Sequence, residues 1–86
     1  MYKITFSKKA IKSLGELPKD YQIKIKANIK SLSLNPFNKD LKKMHTSEAT
    51  HRFRIGPYRL FLQINTTTKE IYIPIIKRRT TQTYRN

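Results

Sequence analysis

The sequence predicts an α+β domain of order βααβββ, with space for one further strand, in which two N-terminal helices pack on a small, mainly antiparallel sheet. Three observations carry this. The chain has 86 residues, the size of one small domain, here residues 1–86. Its N-terminal half holds two segments with helix start and stop signals. Its C-terminal half holds alternating runs of aromatic and β-branched residues, separated by short turns.

Each element has its own reason. Tyr2–Phe6 alternates and contains aromatic and β-branched residues, so it is a strand. Ser7 is positioned to cap a short helix, Lys8–Leu14, ended by Gly15. Pro18 opens a second helix that runs to about Leu34. That segment has two periods. Tyr21, Ile23, Ile25, Ala27 and Ile29 alternate like a strand, whereas Tyr21, Ile25, Ile29 and Leu32 repeat like a helix face. Its uninterrupted length favours the helix. Asn35-Pro36 marks the stop. Residues Asn38–Thr50 are polar and basic, with room for a short strand near Leu41–Met44. Strands follow at His51–Ile55 and Tyr58–Ile64, joined at Gly56-Pro57. After a polar turn, Asn65–Lys69, a last strand spans Glu70–Ile76, with Ile71, Ile73 and Ile75 expected on one face. Pro74 cannot donate to a ladder, which points to an edge strand or a bulge. The tail, Lys77–Asn86, is basic and rich in hydroxyls.

Composition limits the chemistry. There are no cysteines, which removes disulfides, thiolate nucleophiles, thiolate zinc sites and iron–sulfur clusters. The N-terminus lacks an apolar signal core, and no apolar run approaches membrane-spanning length. A soluble protein of the cytoplasm is expected, with no membrane partner. The formal charge is +14, from 19 Lys and Arg against 5 Asp and Glu. Such an excess favours polyanionic partners, nucleic acid first.

The two cation types are segregated. Eleven of thirteen lysines precede Thr46, whereas all six arginines fall between Arg52 and Arg85. Lysine is a flexible, hydrated point charge; arginine is a planar fork that grips phosphate bidentately and stays protonated. The lysines, Lys42 and Lys43 among them, therefore provide general attraction, and the arginines mark a candidate site. A strand has period two, so Arg52 and Arg54 share one face while Phe53 and Ile55 point into the core. The hairpin returns Tyr58-Arg59 beside them, and the last strand brings Lys77-Arg78-Arg79 to the same end of the sheet. A solvated strand face gives the same alternation.

From Arg52 onward there is one carboxylate, Glu70, and no histidine. Paired-carboxylate hydrolysis and metal-ion phosphodiester chemistry both need acids at the site, so no metal and no cofactor are expected. His45, Glu48 and His51 have no zinc-ligand spacing and read as loop residues. Arginines and tyrosines suit another reaction, attack of the RNA 2′-hydroxyl on its own adjacent phosphate. It needs alignment, proton transfer, and cations to offset charge on the transition state. A tyrosine among arginines has its phenol drawn below its ordinary value near 10, which makes it a better proton shuttle. Tyr58, Tyr72 and Tyr84 are the candidates, with packing or base stacking as the plainer roles of the first two.

Over essentially its full length the chain resembles the RelE/ParE superfamily of bacterial and archaeal toxins, most closely its RelE-type messenger-RNA interferases, and two segments are the specific part of the likeness. His51-Arg52-Phe53-Arg54-Ile55-Gly56-Pro57-Tyr58-Arg59-Leu60 looks like the family's basic strand, turn and Tyr-Arg start of the next strand. Ile76-Lys77-Arg78, with Tyr84 six residues after Arg78, looks like its C-terminal Arg…Tyr element. The resemblance implies a ribosome-dependent endoribonuclease that cuts messenger RNA in the decoding site, with ribosomal RNA nearby and a cognate antitoxin that wraps and silences it. It implies catalytic or RNA-binding positions at Arg52 and Arg54, phosphate-holding roles for Arg59 and Arg78, and an orienting or activating role for Tyr84. Arg79 and Arg85 match no catalytic position, leaving Arg79 with general RNA attraction.

The chain departs from the family pattern at informative places. Some relatives have lysines where Arg52 and Arg54 stand, and an arginine is no general base. Proton acceptance then falls to Tyr84 or to water. The family's usual Gly-His before the last arginine is Ile76-Lys77 here, so Lys77 or an arginine-polarised water protonates the leaving group. Two other functions fit the composition. One is a ParE-type inhibitor of DNA gyrase, a branch that usually lacks the arginine–tyrosine set. The other is a non-catalytic RNA- or ribosome-binding module.

Overall fold

The computed structural model describes residues 1–38, 41–44, 46 and 49–78. The elements run β1 (Lys3–Phe6), α1 (Lys8–Gly15), α2 (Lys19–Leu34), a 3₁₀ turn (Pro36–Asn38), β2 (Leu41–Lys43), β3 (His51–Ile55), β4 (Tyr58–Asn65) and β5 (Glu70–Arg78). The five strands form one sheet of order β1-β5-β4-β3-β2. Only β1 is parallel to its neighbour, β5; the other pairs are antiparallel. The expected α+β architecture is thus observed, with β1 placed beside the last strand.

Both helices cover one face of the sheet. Ala10 of α1 and Ile25, Ile29 and Leu32 of α2 pack against Phe53, Ile55, Leu60, Leu62, Ile71, Ile73 and Ile76. The competing periods of α2 resolve as a helix. Ile25 and Leu32 are fully buried, while Ile23, needed inside by the strand reading, is 63% exposed. No helix among the described residues is long and apolar enough to cross a membrane.

Ser7 caps α1 as expected, accepting from the Ala10 N–H at 2.9 Å. The expected glycine stop differs. Gly15 remains in α1 without positive φ, and Glu16 closes the helix with its N–H shared among carbonyls of the last turn. At the β3–β4 hairpin, Gly56 has φ 56° as the first of two loop residues, the type II′ pattern. A Cβ there would lie 2.7 Å from Tyr21 Cε1, so this glycine is required by both conformation and space.

Pro74 was expected at an edge or a bulge. β5 is an interior strand, so the bulge is the outcome. Phe61 pairs with Ile75 and Gln63 with Tyr72, leaving Ile73 and Pro74 opposite Leu62. The β1 ladder stops there too, at Phe6 opposite Ile73. Ser7 occupies the gap: its N–H donates to the Ile73 carbonyl at 3.0 Å, and its hydroxyl donates to the Pro74 carbonyl at 2.7 Å. The extra residue also corrects the expected alternation of β5. Ile71 and Ile73 are buried, but the next core residue is Ile76; Ile75 falls on the other face.

Replacing Ser7 with alanine removes a helix cap and the bond to Pro74 together. We expect a loss of about 1–2 kcal/mol in unfolding free energy, read from denaturant midpoints. An unchanged midpoint would show that neither bond stabilises the fold.

Candidate functional site

Cross-strand pairing assembles one row from three strands. Arg54 of β3 pairs with Arg59 of β4, and Arg59 pairs with Lys77 of β5. Directly paired residues project from the same face, with Cβ atoms about 4.5–5.5 Å apart. A second row on that face holds Lys42, Arg52, Phe61 and Ile75. The alternate residues of these strands, among them Phe53, Ile55, Leu60 and Ile76, are buried beneath the helices. The rows therefore occupy the face that the helices leave open. Neither row contains a carboxylate.

Like charges paired directly across strands are destabilising. Arg59 adds a second cost, because its Nε is buried with no hydrogen-bond partner among the described residues. Such an N–H costs about 1–3 kcal/mol. An oxyanion on this row would relieve the repulsion and supply acceptors to the guanidinium groups. Beside it, Leu41, Lys42, Arg52 and Arg54 line a depression of about 500 Å³. A second depression, about 550 Å³, lies further along the sheet around Thr50, Gln63, Asn65 and Tyr72, and among the described residues no cation lines it.

Three of the four arginines expected at the phosphate share the open face. Arg78 does not. It pairs with Tyr58, on the helix side, and its guanidinium carbon lies 6.0 Å from the Tyr58 ring centroid. The cause is the bulge, which shifts the alternation of β5 by one residue, so Lys77 takes the place beside Arg59. Lys43 is likewise separated from Lys42, pairing with His51. Tyr58 is 4% exposed and meets Tyr21 edge-to-face at 5.1 Å, with Lys24 Nζ 5.3 Å from the Tyr21 centroid. Of the tyrosine candidates, Tyr58 is a packing residue at the hairpin end of the sheet. Tyr72 is partly exposed on the open face. Arg79, Tyr84 and Arg85 lie outside the described residues, as do His45 and Glu48.

His51 opens β3 within the sheet and away from the rows. Its Nδ1 is 2.9 Å from Thr50 Oγ1, and its ring meets Phe37 edge-to-face at 5.9 Å. Burial, and then the Lys43 charge, hold its pKa below the ordinary 6.5. Among the described residues, no three His, Asp or Glu side chains gather in a metal-binding group. The arrangement can therefore bind and neutralise an anion, and its described side chains provide no carboxylate or histidine to move a proton. The sequence reading passed over Phe61 and Ile75. Phe61 was detectable, since it stands two residues from Arg59 on one strand; Ile75 was hidden by the bulge.

Comparison with solved structures locates this architecture. The archaeal RelE–RelB complex from Pyrococcus horikoshii contains a chain matching at TM-score 0.79 and 28% identity, over 91% of this chain and 94% of that one. The chain has the fold of the RelE toxins. This supports the RelE-type superfamily read from the two sequence segments. Isolated Escherichia coli RelE matches at TM-score 0.78 and 14% identity, over 94% of this chain and 87% of that one. A RelBE-type toxin–antitoxin complex from Mycobacterium tuberculosis matches at 0.77 and 24%, over 91% and 98%. At those identities the likeness is one of fold alone. No family model and no curated protein matches the sequence.

Within this RelE-type fold, His51 makes stability depend on pH. Its pKa is lowered in the folded state, so the unfolded chain takes up the proton first as pH falls. The His51 contribution is complete above about 6.5 and declines as pH drops towards the lower folded value. Denaturant midpoints of the parent and of His51→Gln, compared at about pH 7.5 and about pH 5.5, should show a smaller acid loss in the variant. Equal losses would remove His51 from the account.

Proposed function

We propose that this protein is the toxin of a type II toxin–antitoxin system, a ribosome-dependent, metal-independent endoribonuclease acting on messenger RNA in the cytoplasm. The observation that carries this reading is the row Arg54–Arg59–Lys77, three directly paired cations on an open sheet face, with no acid in that row or the next. The RelE-type fold supports a toxin, and the RelE–RelB complexes among its structural neighbours support a cognate antitoxin as partner. A hard divalent ion at the phosphate takes oxygen ligands, carboxylates above all, and the two rows offer none.

The reaction follows from that electrostatics. The RNA 2′-oxygen attacks the adjacent phosphorus as its proton leaves. The new O–P bond forms, the bond to the 5′-oxygen breaks, and that oxygen takes up a proton. The products are a 2′,3′-cyclic phosphate and a 5′-hydroxyl end. Arg54 and Arg59 offset the charge that builds on the phosphate oxygens, and Lys77, the third cation of the row, is assigned to protonate the leaving oxygen. Arg52 and Lys42 hold the flanking backbone. Tyr84, or water, accepts the 2′ proton, and Arg78 serves from the strand end. Ribosomal RNA supplies the remaining alignment in the decoding site.

The decisive experiment adds purified protein to a translation reaction and maps messenger-RNA 5′ ends. Codon-phased cuts that require ribosomes are expected. Arg59→Ala should reduce them about a hundredfold or more, with strong losses also in Arg78→Ala and Tyr84→Phe. Intact message, with DNA supercoiling blocked, would replace this reading by a gyrase inhibitor. Intact message with retained ribosome binding would replace it by a non-catalytic module.

Binding should also depend steeply on salt. With about four cation–phosphate contacts, from Arg52, Arg54, Arg59 and Lys77, affinity for single-stranded RNA should fall roughly fiftyfold between 50 and 200 mM salt. A flat response would overturn the electrostatic basis of the reading.

A further inference from the structure

Phe61 is out of keeping with its surroundings. It is the central strand's contribution to the second row, between Arg52 on β3 and Ile75 on β5. The neighbouring β4 residues Leu60 and Leu62 point the other way and are fully buried, whereas Phe61 stays partly exposed on the face without helices. The bulge at Ile73 and Pro74 places Ile75 beside it, extending an apolar shelf in the midst of cations. A face kept only for solubility would not set an aromatic ring there. Arg59 and Phe61 are two residues apart on one strand, about 6.6 Å, comparable to the reach from a nucleotide's phosphate to its own base.

We propose that Phe61, flanked by Ile75, is a stacking shelf for one nucleobase of a single-stranded RNA whose phosphate lies on the Arg54–Arg59–Lys77 row. This rests on the reading of the open face as an RNA surface, and it does not require cleavage. A charged track with an aromatic platform is the general way proteins hold single strands, because every base has a π-face. Arg52 adds a guanidinium at the edge of the stacked base. The shelf itself bears no hydrogen-bonding group, so it discriminates by stacking area, favouring purines over pyrimidines, and does not read base identity.

The chain contains no tryptophan, so Phe61→Trp installs a single fluorescent reporter. The probes are 2′-O-methyl heptaadenylate and heptauridylate at low salt, which bind without being cut. Strong quenching of the indole is expected, greater with heptaadenylate. A control reporter at Ile23→Trp, on the exposed side of α2, should stay bright. In the parent background, Phe61→Leu keeps an apolar residue and loses the ring; it should weaken heptaadenylate binding, measured by anisotropy, about five- to a hundredfold. Binding with an unquenched reporter at position 61, or full affinity in Phe61→Leu, would overturn the shelf and leave the phosphate row standing. No binding by the parent would overturn both, while message cutting is decided separately in translation.

Discussion

The bulge opposite Leu62 decides which side chains this sheet presents to solvent. β5 has to serve two partners. Towards β1 it must bury Ile71 and Ile73, and towards the hairpin end it must bury Ile76 opposite Leu60. Strict alternation cannot satisfy both, since residues 73 and 76 differ by an odd number. One extra residue resolves the conflict and turns Ile75 and Lys77 to the open face. Proline suits that position because it has no N–H to leave unpaired. The carbonyls of Ile73 and Pro74 are both taken by Ser7, the residue that also caps α1. The end of β1, the start of α1 and the bulge are therefore one hydrogen-bonded unit. The basic row at the far end of β5 depends on it.

The row is an energetic liability held in place by the core. Arg54, Arg59 and Lys77 oppose each other directly, and one arginine N–H is buried without an acceptor among the described residues. Beneath them Leu60, Leu62, Ile71 and Ile73 are completely enclosed. Burying each contributes about 1.5–3 kcal/mol, which offsets the repulsion. Regular pairing also makes the cations a rigid set. The hairpin that holds two of them is locked by Gly56 against Tyr21, and Tyr21 packs on Tyr58. A polyanion bound on this row would meet charges already arranged, with little ordering cost on the protein side.

Much of this was legible in the sequence, for local reasons. Period two in His51–Ile55 is enough to place Arg52 and Arg54 together, and Ser7 announces a cap by residue type alone. Ile25, Ile29 and Leu32 mark a helix face even though Ile23 suggests a strand. Other features depend on long-range pairing. The place of β1 beside β5 follows from packing between residues nearly seventy positions apart, as in the Ser7–Pro74 bond. Pro74 signals a ladder defect in the sequence, but choosing a bulge over an edge requires knowing the strand's neighbours. That choice moves Arg78 to the helix side and Lys77 to the row. Period two alone says that Lys77 and Arg78 point to opposite faces, but not which of them stands beside Arg59.

In the proposed reaction, charge and proton acceptance are assigned to different parts of the chain. The described row supplies cations, and its one group that can give up a proton is Lys77, since arginine stays protonated. Acceptance of the 2′ proton is assigned to Tyr84, six residues beyond Arg78. Six residues span at most about 20 Å when extended, enough to return from the strand end to either face of so small a sheet. Arg78 on the helix side is therefore compatible with Tyr84 acting at the row. On the proposed reading, the phosphate-holding charges are those of the paired strands and the proton-accepting step is assigned to Tyr84. Removing the row should abolish binding and cutting together, whereas removing the Tyr84 hydroxyl should spare binding. That asymmetry distinguishes a nuclease built on electrostatic placement from a surface that only attracts RNA.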